Sequence, residues 1–179
     1  MSAFEFLFSF YGLLLGLAAA NVATGFADMW RDRREMAVGV CPPLFALIIL
    51  LGAMNLWLRF WGMREVVEFG VWPLINLTGV ALPFVFLSRA MFPSPGQAAS
   101  LEDHYLEHRR LLLAIFAISP VFSLINAGLV TRTLALDWST AWVVLRIAAP
   151  LALIPFGSRI VQRLGLAGLA VLLIMGLFR

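Results

Sequence analysis

Residues 38–58 read VGVCPPLFALIILLGAMNLWL, a run with no charged side chain and one amide, Asn55. A helix of about 20 such residues is long enough to cross a ~30 Å hydrocarbon layer. It is apolar all round, so no face of it seeks water. Pro42-Pro43 near its start suit the first turn of a helix, where backbone N–H groups have no partner to lose. The same test applied outward finds comparable runs at 4–27, 69–87, 111–130, 138–156 and 160–178. The expected fold is therefore all-α: one polytopic transmembrane helical bundle of about six spans filling residues 1–179.

Composition agrees. The 179 residues are 62% hydrophobic and 13% charged, too little polar surface to coat a soluble domain of that size. All 13 basic residues are arginine, and they cluster between the apolar runs. That placement reads as membrane topology and not as a nucleic-acid surface. The lone Cys41 cannot form an intramolecular disulfide.

The first run has Glu5 ahead of it and Arg31, Arg33 and Arg34 behind it. A cleaved signal peptide carries its charges in the opposite order, so we read a retained span with its N-terminus outside the cytoplasm. Arg31, Arg33, Arg34, Arg89, Arg109, Arg110, Arg159 and Arg163 follow spans one, three and five. Arg59, Arg64, Arg132 and Arg179 lie on the other side. Positive charge stays inside, so the odd-numbered connections face the cytoplasm and both termini face outward. Trp57, Trp61, Trp72, Trp138 and Trp142 gather at the outer boundary and Trp30 marks the inner one, as an aromatic belt would. The longest connection, 88–110, holds Pro93, Ser94, Pro95 and Gly96 and then a charged stretch, Leu101 to Arg110, expected as a short interfacial or frayed helix.

An internal echo bears on architecture. Phe45-Ala46-Leu47 with Asn55 recurs as Phe116-Ala117-Ile118 with Asn126, and Trp72 with Ser88-Arg89 recurs as Trp142 with Ser158-Arg159. Two spans per unit would make this a parallel repeat, of the kind that surrounds midplane sites in some transporters.

The opening Glu5-Phe6-Leu7-Phe8-Ser9-Phe10-Tyr11-Gly12-Leu13-Leu14-Leu15-Gly16-Leu17 and the later Phe92-Pro93 followed by Leu101-Glu102-Asp103-His104-Tyr105-Leu106-Glu107-His108-Arg109-Arg110 resemble a family of small bacterial multi-span membrane proteins of no assigned activity. The resemblance implies a multi-pass protein of a bacterial inner membrane, in which the outward-facing termini expected from the arginine count would be periplasmic. It brings no cofactor, catalytic residue or binding site with it.

Chemistry is sparse. Arg146 sits inside span five, where an arginine costs at least ~2.5 kcal/mol to insert. It is expected either to anchor an anionic ligand or to be structural, reaching the outer interface past Trp142 or pairing with Glu5, Glu65, Glu68 or Asp137. By depth Asn55, Asn76, Thr78 and Asn126 share its half of the membrane, so Arg146, Asn55, Asn76, Thr78, Asn126 and Glu5 form the candidate polar site. Buried amides also serve as hydrogen-bonding links between spans, so a purely structural reading stands beside it. Asn21 and Thr24 fall at the other end and read as packing. Gly12 and Gly16 make a G-x-x-x-G step that permits close helix approach, to another span or to a second copy. Pro83, Pro120, Pro150 and Pro155 fall inside spans and bend them.

His104-Tyr105-Leu106-Glu107-His108 matches H-x-x-E-H, in which two histidines one turn apart bind zinc. No third histidine exists to complete a site, and Arg109 and Arg110 oppose a cation, so no metal or other cofactor is expected and His104 and His108 are weak candidates. Phosphate loops, Cys-x-x-Cys pairs and catalytic lysines are absent from the sequence. Two readings lead: a small solute or ion transporter-like protein with a polar pocket in the outer half of the bilayer, or a non-catalytic accessory or assembly subunit. A membrane metalloenzyme is third. The expected partners are the lipid bilayer, a small anionic ligand, and a second copy or another membrane subunit.

Overall fold

The computed structural model describes residues 3–31, 37–65, 70–93, 100–131 and 138–178. Within them the chain forms six helices: α1 (Ala3–Arg31), α2 (Cys41–Gly62), α3 (Val71–Ala90), α4 (Leu101–Thr131), α5 (Trp138–Leu153) and α6 (Arg159–Leu177). All except α5 are long and apolar enough to cross a membrane. Among the described residues the extended backbone amounts to one isolated bridge between Ala37 and Ser100, reinforced by Leu101 N–H donating to the Ala37 carbonyl at 2.9 Å.

Successive helices run in opposite directions between two ends of the bundle. At one end Phe4, Phe8 and Tyr11 of α1 pack on Phe60 of α2. At the other, Glu102 of α4 meets Cys41 of α2 and Arg163 of α6. We call these the Arg59 end and the Glu102 end. The helices close into a ring in the order α2, α1, α3, α4, α5, α6. Helix α2 also touches α3 and α4, so it reaches inward from the ring. It is accordingly the most buried helix, with Phe45, Ile48, Ile49 and Asn55 enclosed.

Packing follows what membrane helices require, since lipid supplies no hydrophobic drive between them and shape must supply the contact. Phe45 meets Tyr105 and Phe116, and Phe116 meets Phe84. Phe84 lies against Gly52, where a Cβ would come within 2.5 Å of its ring. Gly79 receives Phe122 in the same way. Of the G-x-x-x-G pair, Gly12 faces the Trp57 ring while Gly16 has nothing within 4 Å of a built Cβ.

The charged stretch Leu101 to Arg110 is one helix with the apolar run after it, and neither separate nor frayed. Leu101, Tyr105, Leu112 and Phe116 are all buried, a continuous stripe along one side of α4. Its acidic and basic residues make cross-links instead of loops. Glu102 Oε2 accepts from the N–H groups of Val40 and Cys41 at 2.7 and 2.8 Å, capping α2 from outside, and its Oε1 accepts from Arg163 at 2.9 Å. Gly39, at φ 74°, turns the chain into α2, and a side chain there would strike Glu102. Asp103 pairs with Arg159 at 2.8 Å.

One boundary differs from expectation. Helix α5 stops at Leu153, so Pro155 lies in the turn beyond it and not inside a helix. Gln162 explains the stop, because its Nε2 donates to the Leu153 and Phe156 carbonyls at 2.8 and 2.7 Å while Oε1 accepts from Tyr105. Trp142 is buried, whereas Trp57, Trp61, Trp72 and Trp138 are exposed near the Arg59 end and Trp30 at the other. The two echoed units pack differently: α4 lies closely along α5, and α2 touches α3 only lightly.

Candidate functional site

The two cavities described here both open at the Arg59 end. The first, about 390 Å3, lies between α1, α2, α3 and α4, with Tyr11, Arg59, Asn76, Ser123 and Asn126 among its walls. The second, about 360 Å3, lies between α2, α5 and α6, with Asn55, Arg59, Ser139 and Gly176 among its walls. Arg59 borders both. Volumes of this size fit solutes at the small end of the usual range of about 300–1,000 Å3.

Helix geometry places these groups. Asn55 and Arg59 are one turn apart on α2, and Ser123 and Asn126 are three apart on α4, so each pair shares a face. Asn76 is set against α4 by Nδ2 donating to the Phe122 carbonyl at 3.3 Å. Asn55 bridges α2 to α6, its Nδ2 donating to the carbonyls of Leu51 at 3.0 Å and Leu173 at 2.9 Å. Its Oδ1 is buried and has no hydrogen-bond partner.

Arg146 is 6% exposed, one turn after the buried Trp142 on α5. Among the described residues no carboxylate pairs with it, and its Nε has no hydrogen-bond partner. Among the described residues, the side chains that act on it electrostatically include Arg59, which repels it, and Tyr11. Both belong to the first cavity, although Arg146 itself is not among the walls of either one.

Of the expected site residues, Asn76 and Asn126 meet at the first cavity and Asn55 stands at the second. Thr78 turns inward to its own helix, its Oγ1 donating to the Leu74 carbonyl at 2.8 Å. Glu5 is exposed on α1 and borders neither cavity. Of the acids considered as partners for Arg146, Glu65 pairs with Arg64 at 3.3 Å, while Glu68 and Asp137 lie outside the described residues, as do Arg33, Arg34, Arg132 and Arg179. At the Glu102 end Asn21 donates to Ser88 Oγ at 3.2 Å, joining α1 to α3.

Arg59 and Tyr11 are the residues that sequence reasoning passed over. Arg59 reads as one more charge at a span boundary. Its signal was the one-turn spacing from Asn55. The histidines lie close together, ring centroids 4.4 Å apart, with His108 Nδ1 against the His104 carbonyl and His104 Nε2 against the Ala90 carbonyl. Among the described residues no group of three metal-ligating side chains forms around them.

No family model, curated protein or solved structure matches this chain.

Proposed function

We propose that this chain is an integral membrane protein that takes a small anionic solute into the cavities at its Arg59 end, in the manner of a small solute or ion transporter. The observation that carries this reading is Arg146, buried beside Arg59 with no carboxylate among the described residues to neutralise it. Packing alone would favour an apolar side chain in its place. Arg31, Arg89, Arg109, Arg110, Arg159 and Arg163 lie at the Glu102 end, so that end faces the cytoplasm and the cavities face outward. The inner-membrane setting rests on the family resemblance. Closure of the Glu102 end by the Glu102–Arg163 and Asp103–Arg159 pairs fits an outward-open arrangement.

The test is thermal unfolding of the purified protein in lipid nanodiscs with chloride, sulfate, phosphate and short-chain carboxylates. A ligand at 100 times its Kd stabilises by about 2.7 kcal/mol. At least one anion is expected to raise the midpoint of the native protein and to leave Arg59→Gln unmoved. If no anion acts and Arg146→Gln loses stability, Arg146 is structural and the accessory-subunit reading replaces this one.

A further inference from the structure

We infer that the first cavity holds, apart from any anion drawn by Arg146, a small uncharged amphiphile whose head carries an N–H donor and an oxygen acceptor, a primary amide being the simplest. Its head meets the α3–α4 wall at Asn76, Ser123 and Asn126, and its apolar body meets α2. This goes beyond the anion reading and does not rest on it.

The polar wall is held in place by the fold itself. Gly79 admits the Phe122 ring, which a Cβ there would approach to 2.6 Å, so α3 and α4 lie close at this level. One turn earlier on α3, Asn76 donates from Nδ2 to the Phe122 carbonyl at 3.3 Å. A carbonyl can only accept, so the amide is oriented and Oδ1 is the atom left over. Asn76 is 8% exposed, and among the described residues its Oδ1 has no hydrogen-bond partner. Unlike Asn55 Oδ1 it is not sealed from open space, and its residue forms part of the cavity wall. Ser123, next along α4 from Phe122, spends its hydroxyl proton on the Ser119 carbonyl at 3.2 Å and keeps its lone pairs. Asn76 and Ser123 therefore both present acceptors.

Two oriented acceptors on one wall disfavour an anion and call for a ligand's donor, since buried acceptors in folded proteins are nearly always satisfied. The Asn126 amide and the Tyr11 hydroxyl border the same cavity and make no hydrogen bond among the described residues, so either can donate to a ligand oxygen. Arg59 is the one charged residue among the described walls, and it has an interaction of its own. The rest of the lining is apolar: Leu56, Phe60 and Met63 of α2 with Leu77 and Val80 of α3. A few placed polar groups facing apolar walls make a pocket for an organic molecule, and about 390 Å3 accommodates a single ring with a small head. Sites built to hydrogen-bond a ligand group reject analogues lacking it more strongly than apolar pockets reject a methyl group.

The matched probes are benzamide, acetophenone and benzoate, which share a phenyl ring and a carbonyl and differ in bearing an NH2, a methyl or a negative oxygen. Affinities are read by calorimetry on the native protein in nanodiscs, with empty nanodiscs subtracted for partition into lipid. Benzamide is expected to bind at least about tenfold tighter than acetophenone, the order of one hydrogen bond to an otherwise unsatisfied acceptor, and tighter than benzoate. In Asn76→Leu the preference over acetophenone is expected to fall to within about twofold. Ser123→Ala leaves the α3–α4 link intact; it is expected to cut the preference by about threefold or more, and it serves if the first variant does not fold. Equal affinity for benzamide and acetophenone, or no binding of benzamide, would overturn the inference. A preference unchanged in the variants would place benzamide elsewhere and overturn it too. Tightest binding of benzoate would overturn it and extend the anion reading to this cavity instead.

Discussion

A buried arginine with no carboxylate beside it among the described residues, as Arg146 is, carries a desolvation cost that packing alone does not require. Arg146 pays for insertion with ~2.5 kcal/mol or more, and Arg59 adds repulsion. Replacing it with an apolar residue of similar length should relieve both. We expect Arg146→Met to raise stability by about 1–3 kcal/mol, read as a higher unfolding midpoint in detergent, while abolishing any response to anions. A lower midpoint would mean that the guanidinium holds the bundle together, and the site would lose its main support. The sequence made Arg146 visible because depth along a helix can be counted. Rotation about the helix axis cannot be counted when a helix is apolar on every side, because no polar face reports which way it turns. Asn76 and Asn126 were thus legible as sharing a level, and they share a cavity. That Thr78 would spend its hydroxyl on Leu74, or that Arg59 rather than Arg146 would line the cavities, was not.

Among the elements, α4 departs most from a reading by hydropathy. Its first ten residues hold Glu102, Asp103, Glu107, Arg109 and Arg110, which average to a polar connection, while Leu101, Tyr105, Leu112 and Phe116 keep an apolar stripe unbroken beneath them. The partners that turn these charges into links, Arg163, Arg159 and the N–H groups opening α2, lie about 60 residues away in the chain, and no local pattern announces such pairs. The two acids are not equivalent. Glu102 is buried and satisfies three donors, so Glu102→Ala should destabilise by about 1–3 kcal/mol through loss of the α2 cap and the Arg163 bond. Asp103 and Arg159 are each 59% exposed, and Asp103→Ala should move the unfolding midpoint within error. Equal midpoints for the two variants would show that the Glu102 contacts do not anchor the start of α2.

For the whole molecule the open quantity is how many times the chain crosses the bilayer. Helix α5 has 16 residues, about 24 Å at the usual rise and short of a ~30 Å layer, while α4 has 31 residues and about 46 Å. Length alone would leave α5 on the surface. Its contacts argue otherwise: Ser139 at its start borders the cavity that holds Arg59, and Phe156 just past its end accepts from Arg109 of α4 at 3.1 Å. The chain therefore travels between the two ends of the bundle within α5 and the turn after it, and the shortfall is small enough for the bilayer to thin locally around it. Six crossings are what we propose on these contacts, with both termini on one side and, by the arginine distribution, outside the cytoplasm. Fusing a reporter that is active only outside the cytoplasm to either terminus should give activity in both cases, and a reporter that matures only inside should be silent in both. Activity at one terminus alone would mean an odd number of crossings and would take α5 out of the membrane. Activity of the inside reporter at both would keep six crossings and invert the molecule, turning the Arg59 cavities toward the cytoplasm and any solute they bind into a cytoplasmic one.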